Sequence, residues 1–160
     1  MPVLTEAMRE KIKAYLPQYP RKQAVTLPAL HLVHDELRTV PNEAIVEIAE
    51  LLDLAPSEVI DTMTFYAFFK GEGRKNGTTR LWVCRGLACM LRGGYELLDH
   101  CEHKLGVKCG GTTPDGKITL EFAECIGACD GAPACLREDV HVMNVTPEKA
   151  DELIGELRRV

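Results

Sequence analysis

The chain has 160 residues, of which 46% are apolar and 27% are charged, and this composition indicates a globular protein of one domain or two small ones. The net charge of −5 argues against nucleic acid as a partner, because nucleic-acid binding normally needs a basic face. No stretch approaches the roughly 20 apolar residues of a membrane span, and the N-terminus has no apolar core of signal-peptide length. We therefore expect a cytoplasmic protein without direct membrane insertion.

The first 70 residues have the hydrophobic periodicity of helices. Asn42 is predicted to be the N-cap of the third helix, because it precedes an acidic residue and an apolar stripe. The predicted helices and their stripes are, in chain order, 5–15 with Met8, Ile12 and Leu16; a second with Leu27, Leu30, Val33 and Leu37; a third with Ile45, Ile48, Ala49 and Leu52; and a fourth, after Pro56, with Val59, Met63 and Tyr66.

A glycine-rich, charged segment, Gly71–Gly77, follows these helices. It has neither the G-x-G-x-x-G spacing nor a Walker lysine, and no predicted strand precedes it, so a linker is favoured over a phosphate site. The predicted organisation is a helical bundle at 1–70, a linker at 71–77 and a second domain at 78–160.

The second domain begins with a change of period from helical to alternating. Its predicted elements are a strand at 79–84; a helix from about Cys89 to Leu105 with Leu91, Tyr95, Leu98, Cys101 and Leu105 on one face; a strand at 117–125 after the turn 113–116; a strand or hairpin at 133–143; and a helix at 147–158 with Ala150, Leu153 and Leu157 inside. This order predicts a small α+β fold.

Four of the seven cysteines share a pattern. Cys84 and Cys89 form C-x4-C after the first strand, and Cys125 and Cys129 form C-x3-C after a later strand. Folding can bring the two loops together at one edge of the sheet, where four thiolates can hold zinc or a [2Fe–2S] cluster. A short loop lets both of its sulfurs reach one iron, so we pair Cys84 with Cys89 and Cys125 with Cys129.

Small residues around these cysteines favour the cluster. Four thiolates, two ferric ions and two sulfides sum to a charge of −2, which becomes −3 on reduction, and this charge needs close backbone N–H donors. Structural zinc stays open on spacing alone, whereas a thioredoxin-like redox site is disfavoured because C-x-x-C is absent. The residues that would permit such donors are Gly86, Ala88, Gly127, Ala128 and Gly131, of which Gly86, Gly127 and Gly131 are the candidate cluster-binding glycines.

The other three cysteines have simpler interpretations. Cys101 lies on an apolar helix face and Cys135 in an apolar strand, so both are predicted core residues. Cys109 lies in a glycine-containing loop and is predicted to be free and exposed. His100 and His103 are interpreted as surface residues and not as metal ligands.

These motifs identify a family resemblance. The segments C-R-G-L-A-C at 84–89, T-P-D-G at 113–116 and E-C-I-G-A-C-D-G-A-P at 124–133 resemble the small iron–sulfur subunit of respiratory NADH dehydrogenase, the 24 kDa or E subunit of complex I. The segments at 40–45, 54–59, 64–69 and 146–154 are similar to that family as well. The likeness extends from about residue 20 to the end, with glycine at position 94 where alanine is expected.

The resemblance implies a helical bundle followed by a thioredoxin-like [2Fe–2S] ferredoxin domain, with Cys84, Cys89, Cys125 and Cys129 as the four cluster ligands. It implies no catalytic residue on this chain: NADH and FMN would bind a 51 kDa-like partner, which exchanges single electrons with the cluster. The complex would lie peripherally on the inner face of the membrane. Related subunits serve NAD-linked hydrogenases and formate dehydrogenases, and a free-standing thioredoxin-like ferredoxin is a further alternative.

The aromatic residues near the end of the helical half have two interpretations. They exceed what one small bundle plainly needs, so we expect them either to dock the flavin-bearing subunit or to join the two halves of the chain. These residues are Phe65, Tyr66, Phe68 and Phe69.

Overall fold

A computed structural model describes residues 2–159. The chain forms two compact units, residues 1–75 and 76–160. Across the described residues, none of the helices combines the length and the apolar character that crossing a bilayer demands.

Within the described part of the chain, the first unit contains four α-helices, as predicted. Their apolar stripes form its core, in which the side chains of Ile12, Leu30, Val33 and Ile48 are fully buried. The helices are α1 (Glu6–Tyr15), α2 (Thr26–Leu37), α3 (Asn42–Leu52) and α4 (Pro56–Phe65), with short 3-10 turns at Leu16–Gln18 and Lys22–Val25.

The ends of these helices partly correct the sequence prediction. Asn42 is not the N-cap of α3 but its first residue, and Pro41 is the extended residue that precedes the helix. The reason is that the Asn42 side-chain amide donates a hydrogen bond to the Glu72 carboxylate and does not turn back onto the helix. Tyr66 lies just beyond α4 in an extended conformation, so it does not share the helical face of Val59.

The aromatic residues after α4 divide into two groups. The Phe68 and Phe69 rings pack in the first unit against the imidazole of His34, at centroid distances of 4.9 and 5.7 Å. Phe69 is buried, whereas the Phe65 side chain is 80% exposed and Tyr66 is also exposed. Phe69 is therefore a core residue of the bundle, and Phe68 is partly buried against the same core.

The second unit contains a four-stranded mixed sheet in the order β2-β1-β3-β4. β1 and β2 are parallel, and β3 and β4 form an antiparallel hairpin whose first strand pairs with β1. This is the predicted thioredoxin-like α+β fold. Its elements are β1 (Thr79–Cys84), α5 (Leu87–Leu91), α6 (Gly94–Leu105), β2 (Ile118–Ala123), β3 (Cys135–Arg137), β4 (Val140–Val142) and α7 (Pro147–Leu157).

The single helix predicted from about Cys89 to Leu105 is two helices. The break falls at Gly93, whose φ of +90° lies in the left-handed region that favours glycine. The predicted apolar face is wrong at Leu91 and Tyr95, which are exposed, because they precede or begin α6 and do not face its core. Leu97 takes that place in the core beside Cys101.

A buried ion pair joins β1 to β2, and the sequence pattern did not indicate it. The Arg80 guanidinium donates to one oxygen of Glu121 from Nε at 2.9 Å and from Nη2 at 2.6 Å. The Arg80 guanidinium also lies 4.2 Å from the centre of the Trp82 ring. A buried pair of this kind is costly to break, because the remaining charge loses the opposite charge and the hydrogen bonds that offset its burial.

Glu121→Gln is expected to lower the free energy of unfolding by about 3 kcal/mol, since it leaves the Arg80 charge buried. The measurement is urea unfolding of the full chain followed by the fluorescence of Trp82, the one tryptophan of the sequence. Glu156→Gln is the matched control: its carboxylate lies 3.6 Å from Arg137 on an exposed surface, so its loss should cost less than about 1 kcal/mol. Equal effects of the two substitutions would contradict the prediction.

The boundary between the units suggests where a protease should cut. Glu72, Gly73, Arg74 and Lys75 are exposed. Gly77 is buried in the second unit, where its N–H donates to Thr119 Oγ1 at 2.6 Å. The segment open to a protease is therefore shorter than the predicted linker.

Limited proteolysis of the intact protein is expected to cut first within residues 72–75, because exposed backbone adapts most easily to a protease. The fragment that begins near Asn76 should keep its visible colour, since all seven cysteines lie beyond the cut. Mass spectrometry identifies the cut, and absorbance reports the cofactor. First cleavage elsewhere, or bleaching on release, would contradict two independently folded units.

Candidate iron–sulfur site

The parallel pairing of β1 with β2 brings the two cysteine motifs to one edge of the sheet. In the register of the two strands, Cys84 at the end of β1 lies beside Ala123 at the end of β2. Both loops therefore leave the sheet side by side in the same direction. The sequence predicted that the two loops meet at one edge of the sheet, and the register of β1 and β2 agrees with this.

The two loops are in close contact. The Cys84 Sγ–H group donates to the Glu124 carbonyl at 3.5 Å. A Cβ atom placed on Gly86 would lie 3.0 Å from both the Cα and the Cβ of Cys125, so only glycine fits here without displacing the second loop. The Gly86 N–H points to Cys84 Sγ at 3.4 Å, which is the kind of donor that a cluster thiolate needs.

The four candidate ligands lie in two pairs. The Sγ atoms of Cys125 and Cys129 are 3.8 Å apart, and both residues are exposed. Cys84 and Cys89 are buried. With free thiols, burial and then a hydrogen bond with Cys84 raise the pKa of Cys89 to about 11.

The spacing of the sulfur atoms fits metal binding. Two thiolates on one tetrahedral ion, with a metal–sulfur distance of about 2.3 Å, lie about 3.8 Å apart, as Cys125 and Cys129 do. Within residues 2–159, no three side chains of His, Cys, Asp or Glu converge on one ion position. Two pairs of thiols suit a centre in which each of two irons takes two thiolates.

Two further glycines near the thiols have different local roles. Gly127 has a φ of +79°, which lets the loop reverse between the two exposed cysteines. Gly131 was predicted as a donor to the cluster, but its N–H donates to the Ala128 carbonyl at 3.1 Å. A Cβ on Gly131 would lie 2.5 Å from the Cβ of Met143, so this glycine is required for packing.

Gly94, which differs from the alanine expected in the family, supports the same loops. A Cβ at this buried position would lie 2.9 Å from the Cys89 carbonyl oxygen and 3.0 Å from that of Cys84. The small residue therefore lets the start of α6 approach the backbone of both candidate ligands of the first pair.

Two of the three remaining cysteines are core residues, as predicted. Cys101 and Cys135 are each about 1% exposed, and burial raises the pKa of both thiols, that of Cys101 to about 11. Cys109 is half-buried and not freely exposed, and its N–H donates to the Glu102 carboxylate at 2.8 Å. Burial raises the pKa of Cys109 as well.

The histidines of α6 are consistent with their interpretation as surface residues. His100 Nε2 lies 2.9 Å from Asp151 Oδ1, and the same carboxylate accepts a bond from Lys104. These two bonds, that of Lys104 first, lower the pKa of Asp151. His103 is exposed.

A feature that the sequence pattern did not single out is an ion pair beside the cysteines. Arg85 directly follows Cys84, Glu124 directly precedes Cys125, and their side chains are hydrogen-bonded. The sequence did show opposite charges beside the two motifs, which could have suggested an ion pair. Whether Arg85 and Glu124 meet, however, depends on the register of the two strands.

Fold and site together define an iron–sulfur protein of thioredoxin-like architecture. The profile of the thioredoxin-like [2Fe–2S] ferredoxin family matches residues 12–158. The chain belongs to this family, and a [2Fe–2S] cluster is its cofactor.

Curated relatives are similar over most of the chain. Identity is 36% to the E 2 subunit of NADH-quinone oxidoreductase from Rhizobium meliloti, covering 94% of this chain and 89% of that protein. It is 32% to NADH-quinone oxidoreductase subunit 2 of Thermus thermophilus, covering 94% and 82%. It is 34% to the E subunit of the same oxidoreductase from Mycobacterium tuberculosis, where the chain spans only 57% of the relative.

The fold also occurs within a much larger protein. A crystal structure of NAD+-reducing [NiFe]-hydrogenase in the H2-reduced state superposes with a TM-score of 0.73 at 22% identity. The superposition covers 84% of this chain but only 22% of the hydrogenase chain, so it documents the fold alone.

Proposed function

We propose that this chain is the iron–sulfur electron-transfer subunit of an NADH:quinone oxidoreductase of the complex I type. In this role it exchanges single electrons with the FMN of a partner that binds NADH. The observation that carries the proposal is the meeting of the Cys84–Cys89 and Cys125–Cys129 motifs at one sheet edge, in a chain whose curated relatives are subunits of such an oxidoreductase.

The proposed ligands are Cys84 and Cys89 for one iron and Cys125 and Cys129 for the other. When bound, a [2Fe–2S] cluster accepts and releases one electron at a time. Cys84 and Cys89 are buried among small side chains, including Ala128, Ala132 and Ala134, so they would hold their iron away from water. Their burial limits solvent access and hence influences the potential.

Cys125 and Cys129 are exposed and form the open side of the site. This side offers an electron partner close approach to the cluster, whereas the opposite pair of proposed ligands is buried. The exposed loop 124–129 is therefore the proposed route by which electrons enter or leave.

The division of labour with a flavin subunit follows from electron count. NADH gives up two electrons as a hydride, whereas the cluster takes one, so a flavin must stand between them. The sequence has no glycine-rich dinucleotide turn with an acidic residue placed after it. We therefore assign NADH and FMN to a 51 kDa-like partner and place this chain in the peripheral part of a membrane-bound respiratory complex.

Replacement of ligand and non-ligand cysteines tests the assignment. Cys125→Ala and Cys129→Ala should each abolish the cluster, because one iron loses a ligand. Cys101→Ala is the control: it should keep about two irons and two labile sulfides per chain and lose about 1 kcal/mol of stability. Iron and sulfide analysis after anaerobic purification is the measurement. Stoichiometric zinc without labile sulfide, or bleaching by Cys101→Ala, would refute the assignment.

Reduction by NADH tests the function. The isolated chain should not be reduced by NADH, whereas addition of an FMN-containing subunit of the family type should make the cluster reducible at catalytic concentrations of that subunit. Bleaching of the visible absorbance follows the reaction, and the flavin subunit without this chain is the control. NADH oxidation by the isolated chain would contradict the assignment of the hydride step to the partner.

Two alternatives are retained. An equivalent subunit of an NAD-linked hydrogenase or formate dehydrogenase would use the same site, and co-purification from the native host identifies the parent complex. A free-standing ferredoxin is disfavoured, because a diffusible carrier needs no helical unit of about 70 residues. Tight association with a flavin subunit separates it from the main proposal.

A further inference from the structure

An ion pair bridges the two cysteine loops on their outer side. Arg85 Nε donates to Glu124 Oε1 at 2.9 Å, and Nη2 donates to the same oxygen. The pair is partly exposed, with side-chain exposures of 36% for Arg85 and 74% for Glu124. Each residue is the immediate chain neighbour of a proposed cluster ligand, Cys84 or Cys125.

Arg85 contacts three consecutive residues at the end of β2. Its guanidinium carbon lies 3.6 Å from the centre of the Phe122 ring, and its backbone N–H donates to the Ala123 carbonyl at 2.9 Å. Its side chain then reaches Glu124. These contacts continue the β1–β2 pairing beyond Cys84 and hold the second loop against the first.

Both charges are carried by chain neighbours of proposed ligands, Arg85 after Cys84 and Glu124 before Cys125. Neighbouring Cα atoms are about 3.8 Å apart, and electrostatic interactions reach about 10 Å at 0.1 M salt. Reduction changes the cluster charge from −2 to −3, so a nearby cation favours the reduced form and a nearby anion disfavours it.

We propose that Arg85 and Glu124 are positioning residues that hold the two ligand loops together and set the cluster's reduction potential through opposing charges. The inference rests on the proposed cluster at Cys84, Cys89, Cys125 and Cys129. Arg85 raises the potential, Glu124 lowers it, and their pairing keeps the two contributions nearly balanced.

The test is a redox titration of the cluster-loaded, full-length protein at neutral pH and about 0.1 M salt, with dithionite as the one-electron reductant and absorbance as the signal. Arg85→Gln should lower the midpoint potential and Glu124→Gln should raise it. Both shifts should shrink as salt is added. Arg85→Lys keeps the charge without the fork of donors, so its potential should stay near that of the parent chain.

A second ion pair of the same unit supplies matched controls. Lys104→Gln and Asp151→Asn make the same changes of charge in an exposed pair whose nitrogen and oxygen atoms are 2.8 Å apart. Lys104 lies ten residues along α6 from Gly94, which is about 15 Å of helix. At that distance salt screens the charge, so neither control should move the potential in the same buffer.

A purely structural role predicts a different pattern. If the pair only braces the loops, Arg85→Gln and Glu124→Gln remove the same bond and should shift the potential in the same direction or leave it unchanged. Either of these results overturns the inference while leaving the proposed function intact. A chain that takes up no [2Fe–2S] cluster on anaerobic reconstitution overturns both.

Discussion

The site depends on the parallel pairing of β1 with β2. Two motifs whose nearest cysteines are 36 positions apart in sequence become neighbours because the strands that precede them end side by side, with Cys84 next to Ala123. Parallel strands require a crossover, which α5 and α6 provide, and the buried pair between Arg80 and Glu121 joins the same two strands. The two cysteine loops are neighbours because of this register.

One pair of candidate ligands in the site is buried and the other pair is exposed. Cys84 and Cys89 lie among small buried residues, whereas Cys125 and Cys129 are exposed. Small residues permit this arrangement for steric reasons: Gly86 leaves room for Cys125, and Gly94 leaves room for the carbonyl groups of the first pair. Both environments are useful to an electron-transfer centre. The buried pair limits the access of solvent to the cluster, and the exposed pair lets an electron partner come close to it.

Much of the fold was readable from the sequence because local patterns agree with the tertiary structure. Alternation located β1, although residues on both of its faces are buried, and the stripe with Ala150, Leu153 and Leu157 located α7, whose apolar face lies in the core. The errors occurred where long-range contacts overrode local preference. Asn42 binds Glu72 and does not cap its own helix, and the predicted single helix breaks at Gly93.

The sequence by itself indicated the type of site, because C-x4-C and C-x3-C among small residues favour metal thiolates, and the family match names the cluster. Only the tertiary structure decided which groups surround it. Gly131 packs against Met143, Cys109 is half-buried, and Arg85 meets Glu124 across the two loops. Such contacts join residues distant in sequence, so they depend on strand register and close packing, which no local spacing encodes.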